Sequence, residues 1–236
     1  MTATMILTRP KAQSDSFAAE IAARWSGPLE VVISPLMRIV PLTPRIDSVD
    51  VVIFTSAHGV EAAQRLNIPK GIPAWCVGEK TGTLAQEAGF VPHIGPGDAD
   101  GLIAGIIAAR PQGCLVHLRG KHTRGAVKDR LRAAGLDCAD VIAYDQQPQM
   151  LNNDAKRALD AQEPVIFPLF SPRTATILRK QGPFYAPVHV IALSQAVAEA
   201  FGYGSTRQIT VAKHPDMPAM LDATLDALHA HSGHRA

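Results

Sequence analysis

The chain of 236 residues has few cysteines, and none of them lies at metal-site spacing from another. Cys76, Cys114 and Cys138 are odd in number and far apart, which argues against a disulfide framework and against a structural zinc site. Cysteines used in this way are typical of a reducing compartment, so we expect a cytoplasmic protein. No metal site is predicted.

Charge of one sign and long hydrophobic runs are also lacking. The net charge is only +2, whereas nucleic-acid-binding domains are usually strongly basic, so we expect no nucleic-acid partner. The longest apolar stretch, residues 102–109, is too short to span a bilayer, and we expect no membrane association. The amino terminus lacks the basic and apolar segments of a signal peptide. Without a coiled-coil pattern or an apolar surface stripe, a monomer is expected.

Several chemical signatures are missing as well. The turn-rich loop at 95–101 contains no G-x-G-x-x-G, and no phosphate-loop lysine follows it, which argues against a nucleotide-using enzyme such as a transferase. Neither the G-x-S-x-G elbow nor the H-E-x-x-H motif of hydrolases occurs. The hydrophobic fraction of 47% is that of an ordinary globular protein, and the length allows one large domain or two small ones.

Short apolar runs alternate with helical patterns along the whole chain. The run at 51–54, VVIF, is continuously apolar, which is typical of strands buried on both faces. The alternation predicts an α/β fold with parallel sheets flanked by helices. The predicted strands are 4–7, 31–33, 51–54, 74–77, 114–118, 141–144, 165–170, 188–193 and 208–211. The predicted helices are 12–25, 58–66, 81–88, 102–109, 123–134, 153–161, 173–180, 195–201 and 217–230.

Internal similarity indicates that one α/β unit occurs twice. The similar pairs of segments are 51–58 with 166–173, 76–89 with 190–202, and 6–10 with 116–120. Their offset of roughly 110 residues is the length of a single domain. If the unit is permuted, the chain leaves the first domain early, completes the second and returns. The proline-flanked extended segments at 35–41 and 142–148 suit the two crossings, and a cleft at such a hinge is a favoured small-molecule site.

Hydroxyl side chains lie where predicted strands turn into helices. Ser56 and Ser171 follow two buried strands, and Thr81 and Ser194 occupy a second pair of such junctions. Each hydroxyl either caps its helix or, with the free backbone N–H groups beside it, binds an anion. Four such helix ends suit a polyanion better than a single phosphate.

Two arginines and one tyrosine complete the candidate site. Arg119 ends an apolar strand, where it is placed to hold a carboxylate bidentately, and Arg9 has the matching position in the other copy. The basic residues at 121–132 lack interleaved aromatics and are better explained as a solvated helix face. Tyr144 ends a strand at the proposed hinge, where its phenol either donates a proton or simply packs between domains.

Taken in chain order, these residues resemble the uroporphyrinogen-III synthase family. The resemblance covers nearly the whole chain and is carried by LTRP at 7–10, FTS at 54–56, VGEKT at 77–81, LRG at 118–120, the strand ending in Tyr144, and FSPR at 170–173. It implies two α/β domains joined by a two-stranded ladder. Residues 1–35 and 149–236 are expected to form one domain, and 36–148 the other, with the linker strands at 36–41 and 142–148.

The same resemblance implies an enzyme that needs no cofactor. Its substrate is hydroxymethylbilane, a linear tetrapyrrole with eight carboxylates. The terminal hydroxyl is lost to give an azafulvene, and a spiro intermediate then rearranges so that the ring closes with its last pyrrole inverted. Unaided closure gives the I isomer and the enzyme gives the III isomer, so catalysis is mainly control of orientation.

Residue roles follow by position. Tyr144 resembles the proton donor of the family, and the hydroxyls of Ser56, Thr81, Ser171 and Ser194 resemble its substrate contacts. Arg119 resembles a basic residue at a strand end, and Arg9 matches it in the other copy. Two positions depart from the family pattern: threonine is frequent at Ser194 and arginine at His58, which is a weaker candidate for binding a carboxylate. From the residues alone, a non-enzymatic module that clamps an anionic ligand is the alternative function.

Overall fold

The computed structural model of the chain describes residues 3–122, 125–203 and 207–232. In these ranges strands and helices alternate, as the sequence pattern predicts. The strands are β1 (Ala3–Leu7), β2 (Leu29–Ile33), β3 (Met37–Pro41), β4 (Val51–Phe54), β5 (Pro73–Cys76), β6 (Val91–Ile94), β7 (Leu115–Gly120), β8 (Cys138–Pro148), β9 (Val165–Leu169), β10 (Val188–Ala192) and β11 (Arg207–Val211). The helices are α1 (Lys11–Ala22), α2 (Ala57–Arg65), α3 (Glu79–Glu87), α4 (Ala99–Ala109), α5 (Val127–Ala133), α6 (Asn153–Asp160), α7 (Pro172–Arg179), α8 (Gln195–Phe201) and α9 (Met217–Ser232).

The chain divides into two compact units. The first consists of Met1–Arg38 with Pro148–Ala236, and the second of Ile39–Gln147. The chain therefore leaves the first unit within β3 and returns to it within β8. These two strands are neighbours in the sheet of the second unit.

The sheet of the first unit has five strands in the order β11-β10-β9-β1-β2, and every neighbouring pair is parallel. Side chains of each strand alternate between two apolar cores. On β1, Ile6 packs into the core that contains α6, α7 and α8, whereas Met5 and Leu7 pack into the core that contains α1 and α9. A parallel sheet covered by helices on both faces explains why its strands are continuously apolar.

The sheet of the second unit has the order β3-β8-β7-β4-β5-β6, with parallel pairs from β8 to β6. Val52 and Phe54 of β4 pack into the core of α2 and α3, and Val51 and Ile53 pack into the core of α4 and α5. Both units thus have the predicted α/β architecture of parallel sheets flanked by helices.

The two sheets have the same strand arrangement with a shifted starting point. The order β11-β10-β9-β1-β2 can be aligned with β6-β5-β4-β7-β8. In this alignment β9 corresponds to β4, β10 to β5 and β1 to β7. These are the three pairs of segments whose similarity is visible in the sequence. The strand orders fit a permuted repeat: β4 is the first of these five strands in the second unit, and it matches β9, which follows the long excursion of the chain in the first unit.

Several elements differ from the sequence prediction, among them β6, α5 and α3. Strand β6 is absent from the predicted strands, because Pro92 interrupts a short run that lies at the sheet edge, where proline is tolerated. Helix α5 begins at Val127 rather than at 123, because Ala126 has a φ of 46° that a helix cannot continue. Residues 123 and 124 lie outside the described ranges. Helix α3 begins at Glu79, two residues before Thr81. None of the helices in the described ranges has the length and apolar character of a membrane span.

Candidate active site

Except for Tyr144, the predicted site residues lie at or just beyond the carboxyl ends of parallel strands. The strand of Tyr144 does not end at this residue as predicted: β8 continues to Pro148, and Tyr144 lies within it, opposite Gly120 at the end of β7. In each sheet the chain winds in opposite directions from a central pair of strands, β4 and β7 in the second unit and β9 and β1 in the first. Ligands of open α/β sheets bind outside the carboxyl ends at such a switch point. In the second unit, the residues at this edge of its sheet are Ser56, His58, Thr81, Arg119 and Tyr144. In the first unit, the residues at the corresponding edge of its own sheet are Arg9, Ser171 and Ser194.

A hydrogen bond joins Ser56 and Tyr144, which lie 88 residues apart in the chain. Ser56 Oγ is 2.9 Å from Tyr144 Oη, and the tyrosine is almost fully buried. Ser56 occupies the N-cap position of α2, yet its side chain caps no backbone N–H. The simple helix-cap interpretation is therefore wrong for Ser56, and its hydroxyl is directed to the phenol instead.

A β-bulge in β8 determines which way Tyr144 points. Strands β7 and β8 pair in register up to Arg119 and Ile142, and the next pair is Gly120 with Tyr144, which makes Ala143 the extra residue. Strict alternation without the bulge would put Tyr144 on the sheet face of Ile142. With the bulge, Tyr144 joins the apolar core that contains α2. The phenol is thereby brought to the amino end of that helix.

Residues at the two ends of α2 contact Tyr144 and the strand that carries it. The ring of His58, in the first turn of α2, meets the Tyr144 ring edge to face at 5.6 Å between centroids, and His58 Nδ1 lies 3.0 Å from Glu61 Oε2. At the other end of α2, Arg65 Nη2 donates a 2.7 Å hydrogen bond to the carbonyl of Ala143. Helix α2 is thus tied to the bulged strand at both of its ends.

A polar network that the sequence pattern did not predict lies beside this pair. Thr55 Oγ1 is 3.0 Å from His117 Nε2, and His117 Nδ1 is 3.0 Å from Asp140 Oδ1. The side chain of His117 is only 1% exposed. The signal in the sequence was one histidine within the otherwise apolar start of β7. Its partner Asp140 is opposite it in the register of β8.

Arg119 belongs to the same network. Its Nε donates a 2.7 Å hydrogen bond to Asp140 Oδ2, and its Nη1 donates to the carbonyl of Gly120 at 2.9 Å. Arg119 therefore already binds a carboxylate of the protein itself. Burial alone would raise the pKa of the Asp140 carboxyl, but hydrogen bonds from His117 and Arg119 outweigh it and lower that pKa below its ordinary value.

Thr81 lies near the end of β5 but is not the helix cap. The N-cap of α3 is Gly78, and the backbone N–H of Thr81 donates to the Gly78 carbonyl at 3.1 Å. Thr81 is the third residue of the helix, and it is buried. The capping interpretation is therefore wrong for Thr81 too, because the helix begins earlier than the sequence pattern predicts.

At the corresponding edge of the sheet in the first unit, the predicted side chains make a packing contact and a helix-capping hydrogen bond. Ser171 Oγ accepts a 3.1 Å hydrogen bond from the backbone N–H of Thr174, so here the cap interpretation is confirmed. The Arg9 guanidinium lies 4.3 Å from the centroid of the Phe170 ring, a cation–π contact, and burial lowers the pKa of Arg9. Ser194 is the N-cap residue of α8 but makes no capping hydrogen bond with its side chain.

Neither a metal site nor a reactive thiol emerges in the described ranges. No group of three or more histidine, cysteine, aspartate or glutamate side chains there is arranged to hold a metal ion. Burial, the largest cause, raises the pKa of Cys76 to about 11 and that of Cys138 to about 12. Both thiols therefore stay protonated and unreactive at neutral pH.

Comparisons with known proteins identify the family of the chain and its fold. Residues 16–222 match the family model described as uroporphyrinogen-III synthase HemD. The crystal structure of uroporphyrinogen-III synthetase from Helicobacter pylori is similar in fold, with a TM-score of 0.66 and 17% identity over 96% of this chain and 100% of that one. A mutant uroporphyrinogen III synthase from Thermus thermophilus gives a TM-score of 0.47 and 14% identity over 97% and 99% of the two chains.

No curated protein sequence matches the chain significantly. The family match covers far more than half of the chain, and the Helicobacter pylori structure shares its fold. The chain therefore belongs to the uroporphyrinogen-III synthase family of cyclising hydro-lyases.

Proposed function

We propose that this chain converts hydroxymethylbilane into uroporphyrinogen III and that Tyr144, activated by Ser56, donates the proton to the departing hydroxyl. The activity is that of the family to which residues 16–222 belong. The observation that carries the role of Tyr144 is its 2.9 Å hydrogen bond to Ser56, at the switch point of the second sheet. Because the family is one of enzymes, the anion-clamping module and the nucleotide-using transferase are set aside.

The hydroxyls of Ser56 and Tyr144 suit proton donation because the hydrogen bond between them uses only one of their two protons. Ser56 and Tyr144 each have one O–H, and one of the two is used in the hydrogen bond between them. The other O–H is left to donate to a third group. When Ser56 is the internal donor, the phenol O–H faces the substrate, and the serine stabilises the negative charge that grows on the phenol oxygen.

Protons balance over the whole reaction. The phenol proton and the leaving hydroxyl depart as water, and the substrate becomes a positively charged, N-protonated azafulvene beside the phenolate. Ring closure and rearrangement through the spiro intermediate release a proton from the tetrapyrrole, which the phenolate takes up. A hydrogen bond from Ser56 to the phenol oxygen stabilises the charge on that oxygen while the proton is away.

The eight carboxylates of the substrate are held by the strand ends in this proposal. Ser194 and the amino end of α8 offer a hydroxyl and backbone N–H groups that no side chain caps. The other proposed contacts are Arg9, Ser171, Thr81, His58 and Arg119. The Nε of Arg119 is held by Asp140, so it adds positive charge to this edge while keeping its position.

The first unit differs from the second in a way that supports this division of labour. Phe170 stands where the second unit has Thr55, and it packs on Phe17 and under Arg9 rather than bonding a histidine. Ser171 stands where the second unit has Ser56, and its hydroxyl caps α7. We therefore assign the proton chemistry to the second unit and binding alone to the first.

The domain organisation, the compartment and the partners of the protein are proposals as well. We propose that the two units are its two domains, and that it acts in the cytoplasm as a monomer, with no cofactor and no nucleic-acid partner. The three cysteines are free thiols, which suits a reducing compartment.

The activity is tested by generating hydroxymethylbilane in situ, adding the purified protein, oxidising the products and separating the porphyrin isomers. We expect uroporphyrin III to predominate. Isomer I alone, from protein shown by circular dichroism to be folded, would overturn the proposed function.

A further inference from the structure

The proposed chemistry makes no use of the line of side chains formed by Thr55, His117 and Asp140, in which His117 is buried and the other two are partly buried. The line starts in the loop between β4 and α2, crosses β7 and ends on β8. Both of its hydrogen bonds are 3.0 Å long. Such a chain costs free energy to bury unless every donor meets an acceptor, so the direction of each bond is determined by the groups at its ends.

Asp140 determines that direction. Its carboxylate accepts from Arg119 Nε, which always carries a proton, and its lowered pKa keeps it ionised. An ionised carboxylate only accepts, so His117 donates to it from Nδ1–H. When the His117 ring carries a single proton, this proton is therefore on Nδ1, and the Thr55 hydroxyl donates to the lone pair on Nε2.

The line therefore fixes the loop that carries Ser56. Thr55 and Ser56 are adjacent, and their side chains are held from opposite faces of the sheet. The residues next to His117 in β7 point into the core that contains α2, so His117 points to the opposite face of the sheet. Ser56 is held on the α2 side by Tyr144. A shift of Thr55 would move Ser56 with it, because only one peptide unit separates them.

We propose that His117 and Asp140 are positioning residues, which hold Thr55 and thereby set the geometry of the Ser56–Tyr144 pair. This inference rests on the proposed role of that pair in proton donation. Neither side chain touches the reacting atoms in this account. Their function is to keep the proton-donating phenol and its serine in one arrangement, as orientation control of the ring closure requires.

Asp140→Asn is the most selective test because the two side chains have the same shape. Arg119 Nε still needs an acceptor, so the amide oxygen of the asparagine faces it and the amide N–H₂ faces His117 Nδ1. That nitrogen must then accept, the ring proton moves to Nε2, and Thr55 must accept where it donated. One isosteric substitution thus reverses the whole line. The tautomer is read from the ¹⁵N shifts of the His117 ring, assigned by their loss in His117→Gln.

Several measurements on purified full-length protein follow. We expect the Nδ1–H tautomer in the unmodified protein and the Nε2–H tautomer in Asp140→Asn. We expect kcat for isomer III to fall on the order of tenfold to a hundredfold in this variant, with KM changed less and a larger share of isomer I. Thr55→Val, which removes only the hydroxyl, should act in the same direction. Asp129→Asn, an exposed carboxylate on α5, should match the unmodified protein.

Each contrary result has a distinct meaning. An Nε2–H tautomer in the unmodified protein would overturn the hydrogen-bond directions and the inference with them. A folded Asp140→Asn or Thr55→Val variant with unchanged kcat and isomer ratio would overturn the positioning role, while the proposed function would stand. Isomer I alone from the unmodified protein would instead overturn the proposed function itself.

Discussion

Gly120 and Tyr144 are in such close contact that no other residue fits at position 120 without moving the tyrosine ring. A Cβ built on Gly120 would lie 2.6 Å from the Cε2 atom of Tyr144, well inside van der Waals contact. The two residues pair across β7 and β8 at the bulge. The absence of a side chain on one strand thus makes room for the phenol on the other.

Gly120→Ala is therefore expected to displace the proton donor. We expect kcat to fall on the order of tenfold to a hundredfold, because misplacement of a reacting group by about 1 Å is costly. Isomer analysis and steady-state kinetics measure the effect. Gly105→Ala in α4 is the control, since its Cβ would first meet Trp75 at 3.3 Å, and alanine favours a helix. Equal kinetics in the two variants would contradict the positional argument.

Ser56 and Tyr144 are expected to act as a unit. Ser56→Ala should lower kcat by about tenfold to a hundredfold, because it removes a hydrogen bond to an oxygen that becomes charged, worth about 1.5–3 kcal/mol. In Tyr144→Phe there is no phenol left for Ser56 to assist, so adding Ser56→Ala to that variant should change kcat little. A double-mutant cycle in kcat checks this. Additive losses would show that the serine acts independently of the phenol.

Ser171 and Ser194 should differ in their contribution to stability. Both occupy N-cap positions, but only the Ser171 side chain accepts a backbone hydrogen bond. We expect Ser171→Ala to lower the free energy of unfolding by about 1 kcal/mol, the usual value of a serine cap. Ser194→Ala should cost clearly less. Chemical denaturation of both variants measures the difference, and equal losses would contradict the assignment of the two hydroxyls.

Acid is expected to weaken the first unit through His189. This histidine is buried between Thr210 and His231, at 2.8 and 3.1 Å, and its pKa is lowered to about 4, mainly by burial and further by His231. Between pH 6.5 and 4 the unfolded chain binds the proton and the folded chain does not, so stability falls as the pH falls. The loss at the lower limit is up to about 3 kcal/mol.

Denaturation across this pH range tests the role of His189. His189→Gln should give a shallower dependence of stability on pH than the unmodified protein. His214→Gln, an exposed histidine, is the control and should leave the slope unchanged. An unchanged slope in His189→Gln would mean that other groups cause the loss of stability in acid.

Much of the fold follows from the sequence because its signals are local. The continuous apolar runs at β4 and β9 predict buried parallel strands, and their similarity reveals the repeated unit. Strand β6 gives no such signal, since Pro92 breaks a run of only four residues at an exposed edge. The predicted start of α5 is too early because the sequence does not reveal the positive φ of Ala126.

The site is predictable in position but not in its contacts. Hydroxyls and arginines that follow apolar strands gather at the same edge of a parallel sheet, so Ser56 and Arg119 are found. The hydrogen-bond partner of each side chain is not predictable, because the partners are distant in sequence: Thr55 and His117 are 62 residues apart. The bulge at Ala143 also reverses the face of Tyr144, and alternation alone predicts the wrong side.

The central claim is that Tyr144 supplies the proton for loss of the hydroxyl, and Tyr144→Phe tests it most directly. The measurement is the initial rate of uroporphyrinogen III formation from hydroxymethylbilane made in situ, with unfolding followed in parallel. The account predicts a fall in kcat of at least about a hundredfold, with KM and stability changed much less. Unchanged turnover by a folded Tyr144→Phe variant would contradict it.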